Sequence, residues 1–143
     1  MSASVNELLA GLEGHPDVTV EVTTGLENWR KGLVVLAAKG DGTAEVLNRV
    51  SGKESRKAGK VAPAALKALA KACAAVGIPT LKSPPGPREP GDTPVVLRVR
   101  QGARVLAEAN VWYADRYDNA ALDKVVEAYD AIVSDLTGGE LPY

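Results

Sequence analysis

The stretch LVVLAAKGDGTAEVLNRV, residues 33–50, decides the fold of this chain. Leu33 to Lys39 is an almost continuous apolar run, the sequence GDG at 40–42 supplies a turn, and Thr43 to Val50 returns. Two strand-like runs joined by a short glycine-containing connection predict a β-hairpin. A strand that is apolar on both sides of its pleat belongs in the middle of a sheet.

Upstream of this hairpin, VTVEVTT at 18–24 alternates valine with polar residues. This period of two predicts a half-buried strand with Val18, Val20 and Val22 on one side. Residues 1–17 form a leading segment in which Asn6 to Leu12 favours a short helix, and GHPD at 14–17 interrupts the chain.

Downstream, SGKESRKAGK at 51–60 reads as a polar surface connection to a helix. Pro63 suits the first turn of that helix, and Gly77 suits its C-terminal cap. Residues 79–94, PTLKSPPGPREPGDTP, contain six prolines. We expect this proline-rich loop to lack regular hydrogen-bonded structure.

The last third predicts a second hairpin and a terminal helix. Val95, Leu97 and Val99 alternate with arginines, and a turn at QG leads into a strand ending at Tyr113. The alternation predicts one face with Val105, Ala107, Ala109, Val111 and Tyr113. It places Trp112 on the opposite face with Leu106, Val34, Leu36 and Val96. The terminal helix has Asp118 or Asn119 as its N-cap and ends at Gly138.

These elements predict one α+β domain over residues 1–143. The sheet is expected to be mostly antiparallel and five-stranded, in the order (α)-βββ-α-ββ-α, with the helices packed on one face.

Composition excludes several classes of function. The net charge of −1 supplies no field that would attract nucleic acid or a membrane. Cys73 is the single cysteine and His15 the single histidine, so a zinc site of His and Cys ligands is excluded, and we expect neither a metal nor a cofactor. The sequence shows no secretory signal and no apolar stretch of membrane-spanning length, which indicates a cytoplasmic protein.

Charge is unevenly distributed, and this leaves two alternatives open. Residues 52–71 carry six cations against Glu54, which allows a nucleic-acid or phosphate binder, although aromatic residues that could stack on bases are missing there. Asp115 and Asp118 allow a small carboxylate-using enzyme. Asp118 and Asp123 also fit a capping role, because a helix N-terminus favours negative charge.

The stretch NVWYADRYDN at 110–119 combines a tryptophan, two tyrosines, an arginine and two aspartates. Exposed tryptophan, tyrosine and arginine side chains are enriched at the energetic centres of protein interfaces. We therefore predict a binding surface formed by Trp29, Arg30, Trp112, Arg116 and Tyr117. A sheet that is apolar on both faces needs a cover. The candidates are the leading helix, the proline-rich loop, or a second copy in a homodimer.

The plan of the chain resembles that of the small emfourin-like domains over residues 18–136. The segments that carry the resemblance are VEVTTGLENWRKG at 20–32 and ALKALAKACAAVGIPTL at 65–81. Thr24-Gly25 and Ile78-Pro79 stand where that family has paired glycines and an aromatic pair. The element order is also similar to that of type III secretion chaperones. These resemblances imply a non-enzymatic protein-binding module, either an inhibitor, an immunity-type protein or a chaperone.

Overall fold

An antiparallel sheet of six strands with three α-helices packed against it forms the protein in our computed structural model. The structure describes residues 4–28, 32–84 and 92–139. The α-helices are α1 (Val5–Ala10), α2 (Pro63–Val76) and α3 (Ala120–Thr137), and short 3₁₀ segments lie at Leu12–Gly14, Ile78–Thr80 and Tyr113–Tyr117. The strands are β1 (Val18–Thr24), β2 (Leu33–Lys39), β3 (Thr43–Val50), β4 (Lys53–Lys60), β5 (Pro94–Gln101) and β6 (Arg104–Trp112).

The predicted α+β class and antiparallel sheet are confirmed, but the five-stranded order is wrong because β4 is an additional strand. Ser51 and Gly52 have positive φ angles of 49° and 81°, and they form a tight two-residue turn that folds β4 back along β3. The segment predicted as a polar connection is therefore paired along its whole length. It has no apolar alternation because nearly all of its side chains are exposed at the edge of the sheet.

The sheet has the order β4-β3-β2-β1-β5-β6, so β1 lies between β2 and β5. Val18, Val20 and Val22 are completely buried, as their alternation predicts. The connection from β4 through α2 and the proline-rich segment brings β5 to the free side of β1. The two hairpins predicted from sequence are thereby joined into one sheet.

One face of the sheet and the helices enclose the core. Its strand side chains are Val18, Val20, Val22, Val34, Leu36, Ala38, Ala44, Val46, Val95, Leu97, Val99, Ala107, Ala109 and Val111. The hydroxyl groups of Tyr129 on α3 and Thr24 on β1 are 2.8 Å apart and share a hydrogen bond. None of the described helices packs on the opposite side of the sheet, which we call the uncovered face.

The predicted side-chain orientations of four residues are wrong: Val34, Leu36, Val105 and Leu106. Val34 and Leu36 face the helices and not the uncovered face, because Leu36 pairs directly with Val22 and opposite residues point to the same side. A register shift between Val99 and Arg100 disturbs the alternation of β6. Val105 is 48% exposed as a result, and Leu106 packs against the core.

The helix ends follow local chemistry. Pro63 opens α2, and Gly77 ends it in the left-handed conformation. Asn119, and not Asp118, is the N-cap of α3: its side-chain oxygen accepts a hydrogen bond from the backbone N–H of Leu122 at 3.1 Å. Gly138 ends α3 with a φ of 64°, as predicted.

Cys73 lies within the core on α2, where burial raises the pKa of its thiol to about 12. The thiol is therefore neutral at physiological pH and acts as a small apolar group.

In the described part of the chain, no helix combines the length and the apolar character that crossing a membrane requires.

The turn between β2 and β3 packs closely against the segment that precedes β1. A Cβ atom added to Gly40 would lie 2.1 Å from the carbonyl oxygen of His15 and 2.3 Å from that of Leu12. Both contacts are with backbone atoms, which cannot move aside as a flexible side chain can.

We expect Gly40→Ala to lower the free energy of unfolding by about 2 kcal/mol or more, because it forces two backbone segments apart. Urea denaturation measures the change. Gly14→Ala is the matched control, since an added Cβ there meets nothing within 4 Å. Equal stability of the two variants would show that this packing is loose.

Candidate protein-binding surface

The 3₁₀ turn at Tyr113–Tyr117 is held in place by Asp115. One oxygen of its carboxylate accepts hydrogen bonds from the backbone N–H of Trp112 at 3.0 Å and from the hydroxyl of Ser83 at 2.6 Å. Asp115 thus joins the end of β6 to the segment that follows α2. These contacts give Asp115 a structural role in positioning Trp112.

A second carboxylate fixes the other side of the same turn. Asp92 accepts hydrogen bonds from the backbone N–H groups of Thr93 at 2.9 Å and Ala114 at 3.1 Å. The backbone N–H of Tyr113 donates to the carbonyl of Thr93 at 2.8 Å. The described residues on both sides of 85–91 are therefore anchored beside Trp112. Residues 85–91 themselves, the centre of the predicted proline-rich loop, lie outside the described residues.

Arg116 is held by two aromatic rings and a carboxylate. Its guanidinium carbon lies 4.7 Å from the centre of the Tyr113 ring and 5.4 Å from that of Tyr117, and one of its terminal N–H groups donates to the Tyr113 hydroxyl. Its Nε lies 3.0 Å from a carboxylate oxygen of Asp123, within ion-pair distance, but the N–H is not aligned for a hydrogen bond. Only 22% of the Arg116 side chain is exposed, so it mainly ties the turn to α3.

Burial and charge act in opposite directions around Arg116. Burial raises the pKa of the Tyr113 hydroxyl and of the Asp130 carboxyl, and the positive charge of Arg116 opposes both changes. The phenol therefore stays neutral at physiological pH. Asp130 is itself exposed on α3, so water screens much of the effect at its carboxyl.

The predicted site residues occupy different kinds of position. Tyr117 is 75% exposed, and Trp112 is partly buried on the uncovered face. Trp29 and Arg30 lie outside the described residues. The structure thus places Trp112, Arg116 and Tyr117 within six residues at one corner of the sheet, with only Tyr117 fully accessible.

The uncovered face extends this corner into a larger surface. Leu47, Val35, Thr23 and Val96 stand side by side across β3, β2, β1 and β5, each partly exposed. Leu33 and Trp112 lie one row further along, towards the end of the sheet where β1 leads into β2. We call Leu33, Val35, Leu47, Val96 and Trp112 the apolar half of this face.

Ion pairs occupy the remainder of the uncovered face. The carboxylate of Glu21, whose side chain is 16% exposed, lies 2.8 Å from Nε of Arg100 and 3.6 Å from Nη1 of Arg98. Arg98 also contacts Glu108 at 2.9 Å. A second cluster on β3 and β4 consists of Glu45, Arg49, Glu54 and Arg56. The apolar half is therefore bordered by alternating charges that already neutralise one another.

Sequence reasoning missed Leu33, Val35 and Leu47 as members of this surface. The apolar run of β2 has no period, so it does not show which of its sides faces the helices. The pairing with β3 contains the missing signal, because Leu47 alternates with Val46 and stands between Glu45 and Arg49, which are typical of a solvated side.

Among the described residues, no three His, Cys, Asp or Glu side chains are grouped so that they could hold a metal ion.

No family model matches the chain, and no curated protein matches its sequence. The resemblances to emfourin-like domains and to secretion chaperones therefore stay predictions.

We expect Arg116→Ala to lower the free energy of unfolding by about 1–2 kcal/mol, because it removes aromatic stacking and the partner of Asp123. Tyr117→Ala is the control: it removes only the longer of the two ring contacts, at 5.4 Å, from a ring that is 75% exposed, and should change stability by less than about 0.5 kcal/mol. Chemical denaturation measures both. If Arg116→Ala is as stable as the parent, the Arg116 side chain is not needed for the fold and is available to contact a partner.

We expect Asp130→Asn to be slightly more stable than the parent at pH 7 and equally stable near pH 3, the difference being small because Asp130 is exposed. The raised pKa means that ionising Asp130 costs more in the folded state than in the unfolded state. The benefit of the neutral carboxyl is thus complete below the ordinary pKa of 3.8 and is lost as the pH rises through the folded-state value. Thermal melts across this pH range measure the difference in stability between the variant and the parent. A difference that does not change with pH would contradict a raised pKa of Asp130.

Proposed function

We propose that this chain is a non-enzymatic protein-binding module that holds another protein against its uncovered face. The observation that carries the proposal is the apolar half of that face, Leu33, Val35, Leu47, Val96 and Trp112, partly exposed and bordered by ion pairs. An apolar centre with a polar rim is the usual composition of a protein interface.

The size of the surface supports this proposal. Strands lie about 4.8 Å apart and rise about 3.4 Å per residue, so a six-stranded sheet with strands of about seven residues spans roughly 700 Å² in projection. A stable interface of standard size buries about 800 Å² on each partner. The uncovered face and the corner at Tyr117 together are thus comparable in size to one side of such an interface.

The anchoring of Trp112 also supports it. Binding costs less when the contacting groups are already ordered. Asp115 and Asp92 fix the turn that follows Trp112 through four hydrogen bonds, so the indole is presented from a rigid position. Tryptophan at such a position is typical of a residue that contributes much of the binding energy.

The resemblances noted above supply the class of module, and we propose an inhibitor, an immunity-type protein or a chaperone. A reducing compartment such as the cytoplasm suits the single buried Cys73. The carboxylate-using enzyme is less well supported, because Asp115 is engaged in holding the turn and Arg116 in contacts with Tyr113 and Asp123. The phosphate-binding loop is also less well supported, because its central residues form β4.

We expect Trp112→Ala to weaken capture of the partner at least about tenfold while the fold is kept, because the indole is a large part of the apolar half. The measurement is affinity purification from native lysate with quantitative mass spectrometry, with circular dichroism to verify folding. Val105→Ala is the control, since Val105 is 48% exposed but lies at the other end of β6.

Equal capture by the two variants would remove Trp112 from the interface. If the chain captured only itself and sedimented as a dimer that Trp112→Ala dissociates, the partner would be a second copy. A substrate that the purified chain turns over would overturn the proposal as a whole.

A further inference from the structure

β4 is an open edge of the sheet. In the described ranges no strand pairs with its outer side, and seven of its eight residues are exposed, with Gly59 the exception. The opposite edge strand, β6, packs beside the 3₁₀ segment at Ile78–Thr80. An exposed edge presents unpaired N–H and C=O groups to any chain that lies alongside it.

The geometry of the turn shows which backbone groups of β4 point outward. The residues that flank a two-residue turn form a hydrogen-bonded pair, and such pairs alternate along an antiparallel ladder. Val50 and Lys53 flank the turn, and at the far end the N–H of Val61 donates to the carbonyl of Gly42 at 2.8 Å in the same alternation. The residues whose backbone groups point away from β3 are therefore Glu54, Arg56, Ala58 and Lys60.

The side chains of this edge are mostly cationic. β4 contains Lys53, Arg56, Lys57 and Lys60 against Glu54, so its net charge is 4 − 1 = +3. Arg49 on β3 neutralises Glu54 at 2.7 Å, and Arg56 is paired with Glu45 on β3 at 2.8 Å, so the excess positive charge of the strand is carried by its lysines. Lys53 and Lys60 lie at the two ends of the strand and on opposite sides of the sheet, so an incoming strand meets a lysine at each of its ends.

This charge decides between two occupants of the edge. Pairing β4 with β4 of a second copy would bring two strands of charge +3 to about 4.8 Å from each other, and like charges opposite one another destabilise a sheet. An extended segment rich in Asp and Glu makes the same backbone ladder and gains from the lysines. Lysines at an edge also discourage pairing with neutral strands, which confers selectivity.

We propose that β4 binds an extended acidic segment of another protein, which adds to the sheet as a seventh strand. Its backbone pairs with the outward groups of Arg56, Ala58 and Lys60, and its carboxylates contact Lys53 and Lys60 at the two ends of β4. This site lies at the opposite edge of the sheet from Trp112 and does not depend on the function proposed above.

The test uses a labelled ten-residue peptide of alternating Glu and Thr, with binding measured by fluorescence anisotropy at low ionic strength. Ala58→Pro removes the outward N–H of Ala58 without removing a bond to β3, because proline is tolerated at an edge where its nitrogen faces solvent. Ala58→Thr is the matched control, since it keeps that N–H. We expect Ala58→Pro to weaken binding at least about fivefold and Ala58→Thr to bind like the parent.

Amide hydrogen exchange of the unaltered chain gives a second, independent result. Bound peptide is expected to slow exchange at Arg56, Ala58 and Lys60 and to leave Ser55 and Lys57 as they were. This alternation distinguishes strand addition from simple charge attraction, which protects no particular set of amides. The measurement keeps the proposal testable even if Ala58→Pro fails to fold.

Three outcomes would overturn the proposal: no binding of the peptide, equal binding by Ala58→Pro and Ala58→Thr when both are folded, or protection without alternation. A chain that dimerises and becomes monomeric on Ala58→Pro would show that a second copy occupies the edge, which also contradicts it. Trp112→Ala is expected to bind the peptide normally, so failure at one surface is distinguishable from failure at the other.

Discussion

Burial of β1 between β2 and β5 is the constraint on which this structure depends. β1 pairs along its length with both neighbours, and its three valines are completely buried under the helices. Because residues opposite each other in an antiparallel sheet point to the same side, the orientation of β1 determines that of every strand beside it. The helix-facing core and the uncovered face are two consequences of this pairing.

An uncovered face in a chain of this length has to satisfy two opposing requirements. It needs enough charge to remain in water as a free protein and enough apolar surface to bind a partner. Here the requirements are separated in space: Arg98, Arg100, Glu21 and Glu108 neutralise one another at one end, and the apolar half lies at the other. The turn after Trp112, fixed by its two aspartates, completes the apolar end.

The sequence predicted well whatever depends on neighbouring residues. The hairpin at 33–50, the proline at the start of α2, an N-cap of α3 at Asp118 or Asn119 and the glycine ends of both helices follow from local φ requirements and hydrogen bonding. Of the candidate site, sequence reasoning placed Trp112 correctly on the side of the sheet away from the core. It treated Arg116 as a binding group, although the contact with Asp123 on α3 engages it.

By itself, then, the sequence determined the α+β class, the two hairpins, the helix ends and the absence of phenylalanine from the core, since these are properties of short segments and of composition. Tertiary structure alone decided the strand character of β4, the side of β2 that meets the helices, and the exposure of Val105. The physical reason is that a polar edge strand and an uninterrupted apolar strand both lack a period of two. Their conformation and orientation come from the backbone hydrogen bonds of the strand next to them, which no local pattern records.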